Sequence, residues 1–258
     1  MRQARIAVGS TPPRQVNVAA DSLLPFDARG VYAEGSFAWL PPVTGAVYGT
    51  LLNFQGALAA LGESVHAAPY LAPPQGPLLY LKPVNTHAGH GAAIALPPGG
   101  DAVRIGASLA VVFGRQATRV DARNALEHVA GYTVAADVSV PHDSYYRPAI
   151  RHQCRDGYCP LGPWIVAAAD VPNPDALAIT VRVNGRIRQQ NHTSNLIRPV
   201  AQLIAEITAF MSLHAGDVLL VGVPEGSPLA RAGDRIEIDI DGVGVLAHSV
   251  EAAAQGDQ

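Results

Sequence analysis

Charged residues are scarce in this chain, where they make up 15% of the 258 positions against 48% for hydrophobic residues. The formal net charge is −3 and neither sign forms a long run, which argues against the clustered basic surface that binds nucleic acid. So little charge beside so much apolar material also argues against a disordered chain. The length fits one large domain, or one domain with a small additional lobe.

Long apolar segments and cysteines are scarce as well. No apolar run reaches the length that crosses a bilayer, and the first residues, M-R-Q-A-R-I-A-V-G-S, lack the apolar core of a signal peptide. The two cysteines, Cys154 and Cys159, are too widely spaced for a C-x-x-C motif and too few for a disulfide framework. We therefore expect reduced thiols, a cytoplasmic location and no membrane partner.

Short apolar segments between Pro, Gly and Asp predict strands along most of the chain. The short apolar segments of residues 1–44 predict a small N-terminal extension or lobe that ends near Pro41-Pro42. We expect residues 45–254 to form the main domain. Asn184-Gly185 predicts a tight hairpin, and helices are expected over 55–62, 121–129 and 194–212. Many strands without regular strand–helix alternation favour a β-rich α+β fold with few short helices.

A loop rich in tyrosine and arginine follows the apolar run G-Y-T-V-A-A-D-V-S, which contains Asp137. Tyrosines and arginines come directly after this carboxylate: Tyr145, Tyr146, Arg147, Arg151 and Arg155, with His152 among them. Arginine and tyrosine side chains at a strand end predict a pocket for a small anionic substrate. The alternative is a surface turn whose arginines are merely solvated.

Several ordered motifs resemble the fumarylacetoacetate hydrolase family over residues 45–252. They are G-Y-T-V-A-A-D-V-S, C-P-L-G-P-W, V-N-G-R-I-R-Q-Q-N-H-T-S-N-L-I, L-H-A-G-D-V-L-L-V-G-V-P-E-G and A-G-D-R-I-E-I-D-I-D-G-V-G. The resemblance implies a mixed β-sandwich roll, an oligomer, and a small 2-oxo or enol dicarboxylate substrate handled with Mg²⁺ or Mn²⁺. Such a cation stabilises the enolate that forms when CO₂ or a proton leaves.

Within the family, S-Y-Y-R-P-A-I-R-H-Q-C-R-D-G-Y-C-P resembles the isomerase/decarboxylase branch of 4-hydroxyphenylacetate catabolism. That branch implies decarboxylation of 5-oxopent-3-ene-1,2,5-tricarboxylate and a double-bond shift in 2-hydroxyhepta-2,4-dienedioate. The implied catalytic residues are Asp137, Tyr146 and His152, and the implied substrate-binding residues are Lys82, Arg147, Arg151, Arg155 and Thr193.

This chain departs from the family pattern at the metal ligands. Metal-binding members carry Glu-x-Glu where Gly106 and Ser108 stand here, so Asp137 is the one expected metal carboxylate that remains. Mg²⁺ usually takes one or two protein carboxylates together with substrate oxygens. A His and a Glu that many members place in the helix after L-N correspond here to Ala57 and Ala60.

Three functions remain open from the sequence. The first is an isomerase/decarboxylase subunit acting on an unsaturated 2-oxo dicarboxylate or tricarboxylate. The second is a partner subunit without catalysis that packs against a metal-competent paralogue, so the oligomer is either homomeric or mixed. The third, a C–C bond hydrolase of a 1,3-dicarbonyl, is the least favoured because water activation needs a base.

Overall fold

The computed structural model describes residues 2–20, 22–142, 145 and 149–253. The strands are β1 (Arg2–Ala7), β2 (Arg14–Val18), β3 (Pro25–Asp27), β4 (Gly30–Val31), β5 (Ala38–Leu40), β6 (Val47–Leu51), β7 (Leu78–Lys82), β8 (His87–Ala88), β9 (Ala93–Ala95), β10 (Val103–Phe113), β11 (Val129–Ser139), β12 (Cys159–Ala167), β13 (Ala178–Val183), β14 (Arg186–His192), β15 (Val218–Leu220), β16 (Leu229–Ala230), β17 (Arg235–Ile240) and β18 (Gly244–Glu251). The α-helices are α1 (Gln55–Ala59), α2 (Ile150–Gln153) and α3 (Val200–Thr208). Short 3-10 helices cover Gly62–His66, Val84–Thr86, Ala122–His128, Ala168–Asp170 and Thr193–Asn195. The predicted β-rich α+β fold with few short helices is confirmed.

The described strands form two sheets of mixed direction. The larger sheet has thirteen strands, in the order β4-β3-β2-β1-β12-β11-β10-β15-β6-β7, with β5, β8 and β16 attached at its sides. The smaller sheet has five strands in the order β14-β13-β17-β18-β9. In β17 the isoleucines 236, 238 and 240 are buried while the charged residues between them are not, the alternation expected of a strand that covers a core on one face.

The pair β10–β11 lies in the middle of the larger sheet, and both strands are buried along almost their whole length. Their sequences are nearly continuous apolar runs because both faces of the sheet are covered at this point. The antiparallel register places Gly106 opposite Asp137 and Ser108 opposite Ala135. Since side chains alternate across a strand, positions 106, 108 and 137 share one face of the sheet. This face carries the site described below.

The first forty residues form strands β1 to β5, and β1 pairs with β12, so these strands extend the larger sheet. The short strands expected in this region are therefore present. Whether residues 1–44 behave as a separate domain stays a prediction.

Local predictions succeed where the turn chemistry is strong. The hairpin between β13 and β14 forms with positive φ at Asn184 (52°) and Gly185 (74°), as its turn type requires. The segment after Asp121 is helical, but it is a 3-10 helix, and the Asp121 side chain accepts a hydrogen bond from the Arg123 N–H at its start.

The helix expected over 194–212 was too long. The structure has a 3-10 turn, Thr193–Asn195, and then α3 from Val200 to Thr208. Pro199 separates the two because a proline disfavours helical geometry in the residue before it and suits the beginning of a helix.

Cys154 and Cys159 are both free thiols, as expected. In the described part of the chain, no helix has the length and apolar character needed to pass through a membrane.

Candidate active site

A cavity of about 320 Å³ lies where β10 begins and β11 ends. This volume is within the size range of small-molecule sites. Arg104 and Gly106 of β10, Asp137 and Ser139 of β11, and Tyr80 of β7 line its floor. The remaining lining comes from four segments: Thr50–Leu52, the α1 region with Ala57 and Ala60, the connection between β11 and β12 with His142, Tyr145 and the α2 residue Gln153, and the turn from Val223 to Ser227.

Asp137 is held by two side chains from the same strand, β7. The Lys82 ammonium nitrogen lies 2.5 Å from Asp137 Oδ1, and the Tyr80 hydroxyl donates a hydrogen bond to Asp137 Oδ2. Tyr80 and Lys82 are two positions apart, so the alternation of side chains along β7 directs both of them to the same face. The carboxylate therefore carries a fixed partner on each oxygen.

Lys82 is the only lysine of the chain, and its side chain is completely buried. Its ammonium group donates to the carbonyl oxygens of Val138 (2.9 Å), Gln153 (3.0 Å) and Tyr158 (3.1 Å), which accounts for its three hydrogens. Asp137 Oδ1 accordingly has no hydrogen bond of its own among the described residues, and its contact with Lys82 is an ion pair. Lys82 neutralises Asp137 from behind and does not line the cavity.

Tyr80 reaches Asp137 because Gly49, its register partner on β6, has no side chain. A Cβ at position 49 would collide with the Tyr80 ring. Burial of the hydroxyl, followed by the negative charge of Asp137, raises the pKa of Tyr80 well above its usual value. Tyr80 therefore stays protonated at neutral pH and acts as a hydrogen-bond donor.

The residues present do not fit a chelated Mg²⁺ or Mn²⁺ ion. A Cβ added to Gly106 would lie 2.8 Å from the Asp137 carbonyl oxygen and 2.8 and 2.9 Å from the two Val223 methyl carbons. Val223 thus fills the space that a longer side chain at position 106 would need. Ser108 is fully buried, and its hydroxyl donates to the Leu109 carbonyl.

Asp137, the one carboxylate left at these positions, is already paired with a lysine cation. Among the described residues there is no group of three or more His, Cys, Asp or Glu side chains arranged to hold a metal ion. Divalent cations of this kind prefer several carboxylate or carbonyl oxygens. No step of the chemistry below is therefore assigned to a metal.

Among the described residues that line the cavity, Arg104 is the one that supplies a positive charge. Its side chain is half-buried, and it forms no ion pair within the described ranges. His142 lines the same space, with its Nδ1 3.0 Å from the Val140 carbonyl oxygen. A guanidinium group without a protein carboxylate partner suits an anionic ligand.

Two of the substrate-binding residues expected from the sequence are internal. Lys82 is bonded as described above, and the buried Thr193 hydroxyl accepts a hydrogen bond from the Leu177 N–H at 2.9 Å. Arg151 and Arg155 line a separate, more open concavity on the other side of α2. The structure therefore brings none of these four side chains to the wall of the Asp137 cavity, and their role in substrate binding stays a prediction.

The expected catalytic residues differ in their position relative to the cavity. Asp137 lines the cavity. His152 stacks on His142, with ring centroids 5.3 Å apart, one layer behind the lining. Tyr146 and Arg147 lie outside the described residues, so their expected roles stay predictions.

Sequence reasoning missed Tyr80, Arg104 and Glu225, all of which line the cavity. For two of them, the alternation of side chains along a strand could have predicted their position. Tyr80 shares a face with Lys82, and Arg104 shares a face with Gly106, which the sequence had already singled out. Glu225 carried no such signal, because its turn meets the site only in the folded chain.

The sequence and fold of this chain match those of known proteins. The model of the fumarylacetoacetate (FAA) hydrolase C-terminal family matches residues 46–251. The 4-hydroxyphenylacetate degradation bifunctional isomerase/decarboxylase of Escherichia coli is 37% identical over 206 residues, which are 80% of this chain and 47% of that protein. The chain thus spans about half the length of this relative.

Solved structures show the same fold over most of the chain. A 5-carboxymethyl-2-hydroxymuconate delta-isomerase from Mycobacterium smegmatis has a TM-score of 0.81 and 29% identity, covering 99% of this chain and 100% of that one. A fumarylpyruvate hydrolase from Pseudomonas aeruginosa, solved with Mn²⁺ and pyruvate, has a TM-score of 0.71 and 26% identity, covering 85% and 94%. Family match, sequence identity and fold agree: the chain belongs to the fumarylacetoacetate hydrolase family.

Proposed function

We propose that this protein is an isomerase of unsaturated 2-oxo or 2-hydroxy dicarboxylates, with 2-hydroxyhepta-2,4-dienedioate as the substrate to test first. The observation that carries the proposal is the cavity in which Arg104 faces the Tyr80–Asp137 pair. Arg104 binds a substrate carboxylate, and the polar side chains of the opposite wall contact the reacting enol. The names of two similar proteins, an isomerase/decarboxylase and a muconate isomerase, support this substrate class.

Isomerisation is favoured over decarboxylation on chemical grounds. Moving the double bond requires a proton to leave one atom and another to arrive elsewhere, while the dienolate between them is stabilised by donors and positive charge. Arg104 and His142 provide these groups in the cavity. The family's decarboxylation relies on a chelated cation, for which Gly106 and Ser108 leave no ligands.

The proposal is tested by following the ultraviolet absorbance of the dienol during incubation with the purified protein. We expect the absorbance to fall as the 2-oxo-3-ene isomer forms, at a rate proportional to protein concentration. The Arg104→Gln variant should lose most of this rate at low substrate concentration. No protein-dependent change in absorbance would sink the proposal.

A second candidate, a partner subunit without catalysis, is favoured by one observation. The E. coli relative is about twice as long as the matched region, which fits a pair of such domains working together. On this hypothesis the protein alone is inactive and forms a mixed oligomer with a metal-competent paralogue. Light scattering and activity measured with and without that paralogue distinguish the two. A cytoplasmic location and an oligomeric state remain part of both proposals.

A further inference from the structure

The α1 wall of the cavity carries no titratable group, although an acid would be useful there. Ala57 and Ala60 line this wall, at the positions where many family members place a histidine and a glutamate. A proton transfer needs a base within hydrogen-bond reach of the substrate, so it must come from another element.

Asp137 does not suit that task. Its Oδ2 accepts a hydrogen bond from Tyr80, and its Oδ1 is in contact with the Lys82 ammonium. Both carboxylate oxygens are therefore already occupied by protein groups. Asp137 therefore orients Tyr80 rather than accepting protons from the substrate.

Glu225 brings a different carboxylate to the same wall. It belongs to the turn between β15 and β16, lines the cavity and lies directly over α1 at Gly56. A Cβ on Gly56 would overlap the carboxylate carbon and both oxygens of Glu225. The absence of a side chain at Gly56 is what allows the carboxylate to occupy this place.

The position of Glu225 is held from both sides. The Asn191 amide donates to Oε1 at 3.0 Å, and the Asn191 oxygen is itself fixed by the His192 N–H at 2.8 Å and the Asn195 amide at 3.1 Å. The buried Gln189 amide donates to the carbonyl oxygen of Pro224 at 3.2 Å, which fixes the backbone of the turn. Within the described ranges Oε2 has no partner and Glu225 forms no ion pair, so one oxygen is left for a ligand.

We propose that Glu225 is the proton-transferring residue of this cavity, replacing the acid–base pair that α1 lacks. The assignment rests on the proposed isomerase function. In the reaction, the Glu225 carboxylate takes the proton of the substrate 2-hydroxyl group, and that O–H bond breaks as C2=O forms. The C2=C3 and C4=C5 double bonds become C3=C4, and the protonated Glu225 gives a proton to C5. Atoms and electrons balance, and the carboxylate is restored.

The test compares Glu225→Gln with the wild-type protein in the dienol assay. We expect kcat to fall by about 10²- to 10⁴-fold, the range typical of a lost general base, while KM changes by no more than about threefold. The acid limb of the pH profile of kcat/KM should disappear. Glu127→Gln is the matched control, because Glu127 is exposed and pairs with the exposed Arg115, and it should behave as wild type.

Two further measurements separate proton transfer from structural damage. Heptanedioate, a saturated dicarboxylate, should bind Glu225→Gln as tightly as wild type in calorimetry. In D₂O the wild type should place deuterium on one face of C5, and this selectivity should vanish in Glu225→Gln.

Gly56→Ala provides an independent check, since its methyl group displaces the Glu225 side chain. It should lower kcat in the wild-type background and have little further effect when combined with Glu225→Gln. Thermal melting establishes that each variant is folded. Near-normal kcat in Glu225→Gln overturns the assignment while leaving the isomerase function intact. Absence of turnover by the wild type overturns both.

Discussion

The Lys82 ammonium nitrogen lies 2.5 Å from Asp137 Oδ1, and both side chains are almost completely removed from solvent. Lysine occurs nowhere else in the sequence, whose other seventeen basic residues are arginines. A compact ammonium group with three donors suits this place, where three carbonyl oxygens and a carboxylate converge on one point. The ammonium neutralises the Asp137 carboxylate, so the buried pair as a whole carries no net charge.

Removing the lysine charge should destabilise the protein strongly. Lys82→Met leaves Asp137 buried without a counter-ion, and breaking such a pair costs about 3–5 kcal/mol. Urea denaturation measures the free energy of unfolding. The matched control is Arg123→Met, which breaks an exposed ion pair with Asp121 and should cost less than about 1 kcal/mol. Equal decreases in the free energy of unfolding of the two variants would contradict the assigned role of Lys82.

Stability should fall in mild acid because of His248. Burial, and then the charge of His90, lowers the pKa of His248 to about 4, and neither ring nitrogen has a hydrogen-bond partner among the described residues. The folded state therefore binds fewer protons than the unfolded chain, whose histidine titrates near pH 6.5. The stability that the neutral His248 ring contributes is fully present above about pH 6.5. It is lost as the pH falls towards 4, and the free energy of unfolding then decreases by about 3 kcal/mol.

Denaturation curves at pH 7.5, 5.5 and 4 test this linkage. His248→Leu should flatten the dependence of the unfolding free energy on pH in that window. The exposed His66→Leu change should leave the dependence as it is in the wild type. If the unfolding free energy of His248→Leu depends on pH as steeply as that of the wild type, other groups cause the acid sensitivity.

Arg104 should contribute more to substrate binding than Arg151 does. Arg104 lines the Asp137 cavity, whereas Arg151 lines the separate concavity beside α2. Replacing a charged hydrogen-bond donor costs about 1.5–3 kcal/mol, so Arg104→Gln should raise KM by about 10- to 100-fold. Arg151→Gln should change KM by less than about twofold, a difference worth under about 0.5 kcal/mol. The opposite ranking would favour the sequence-based expectation that Arg151 binds substrate.

Chelation should have little effect on turnover. Gly106 and Ser108 leave Asp137 without companion ligands, and Val223 occupies the adjacent space. We therefore expect the rate after dialysis against EDTA to stay within about twofold of the untreated rate. A metal that stabilised the enolate would lower the activation barrier by several kcal/mol, so its removal would cause a much larger decrease. Addition of Mn²⁺ should not raise the rate. A rate that is lost with EDTA and restored by Mn²⁺ would contradict this prediction.

Much of the fold was predictable because its signals are local. Apolar runs identified β10 and β11, and Asn184-Gly185 identified the hairpin through its positive φ angles. Family motifs drew attention to Asp137, Gly106 and Ser108, which the structure places on one face of the β10–β11 pair. The extent of α3 was predicted less well, because helical spacing was given more weight than the restriction that Pro199 imposes.

The cavity wall was harder to predict because it joins distant segments. Arg151 and Arg155 follow Asp137 closely in the chain, yet α2 directs them into a different concavity. Arg104 lies more than thirty positions before Asp137, but the antiparallel register of β10 and β11 brings it to the same cavity. Closeness along the chain was a poor guide to closeness in space at this site.

The sequence by itself determined the family and the β-rich fold, since both depend on residue identity at positions marked by local motifs. Only the tertiary structure decided which charges meet in the cavity. Lys82 turned out to be the buried partner of Asp137, and Glu225 the carboxylate that lies over Gly56. Such pairings depend on sheet closure and on the space left by glycines, which are properties of packing between segments far apart in the chain.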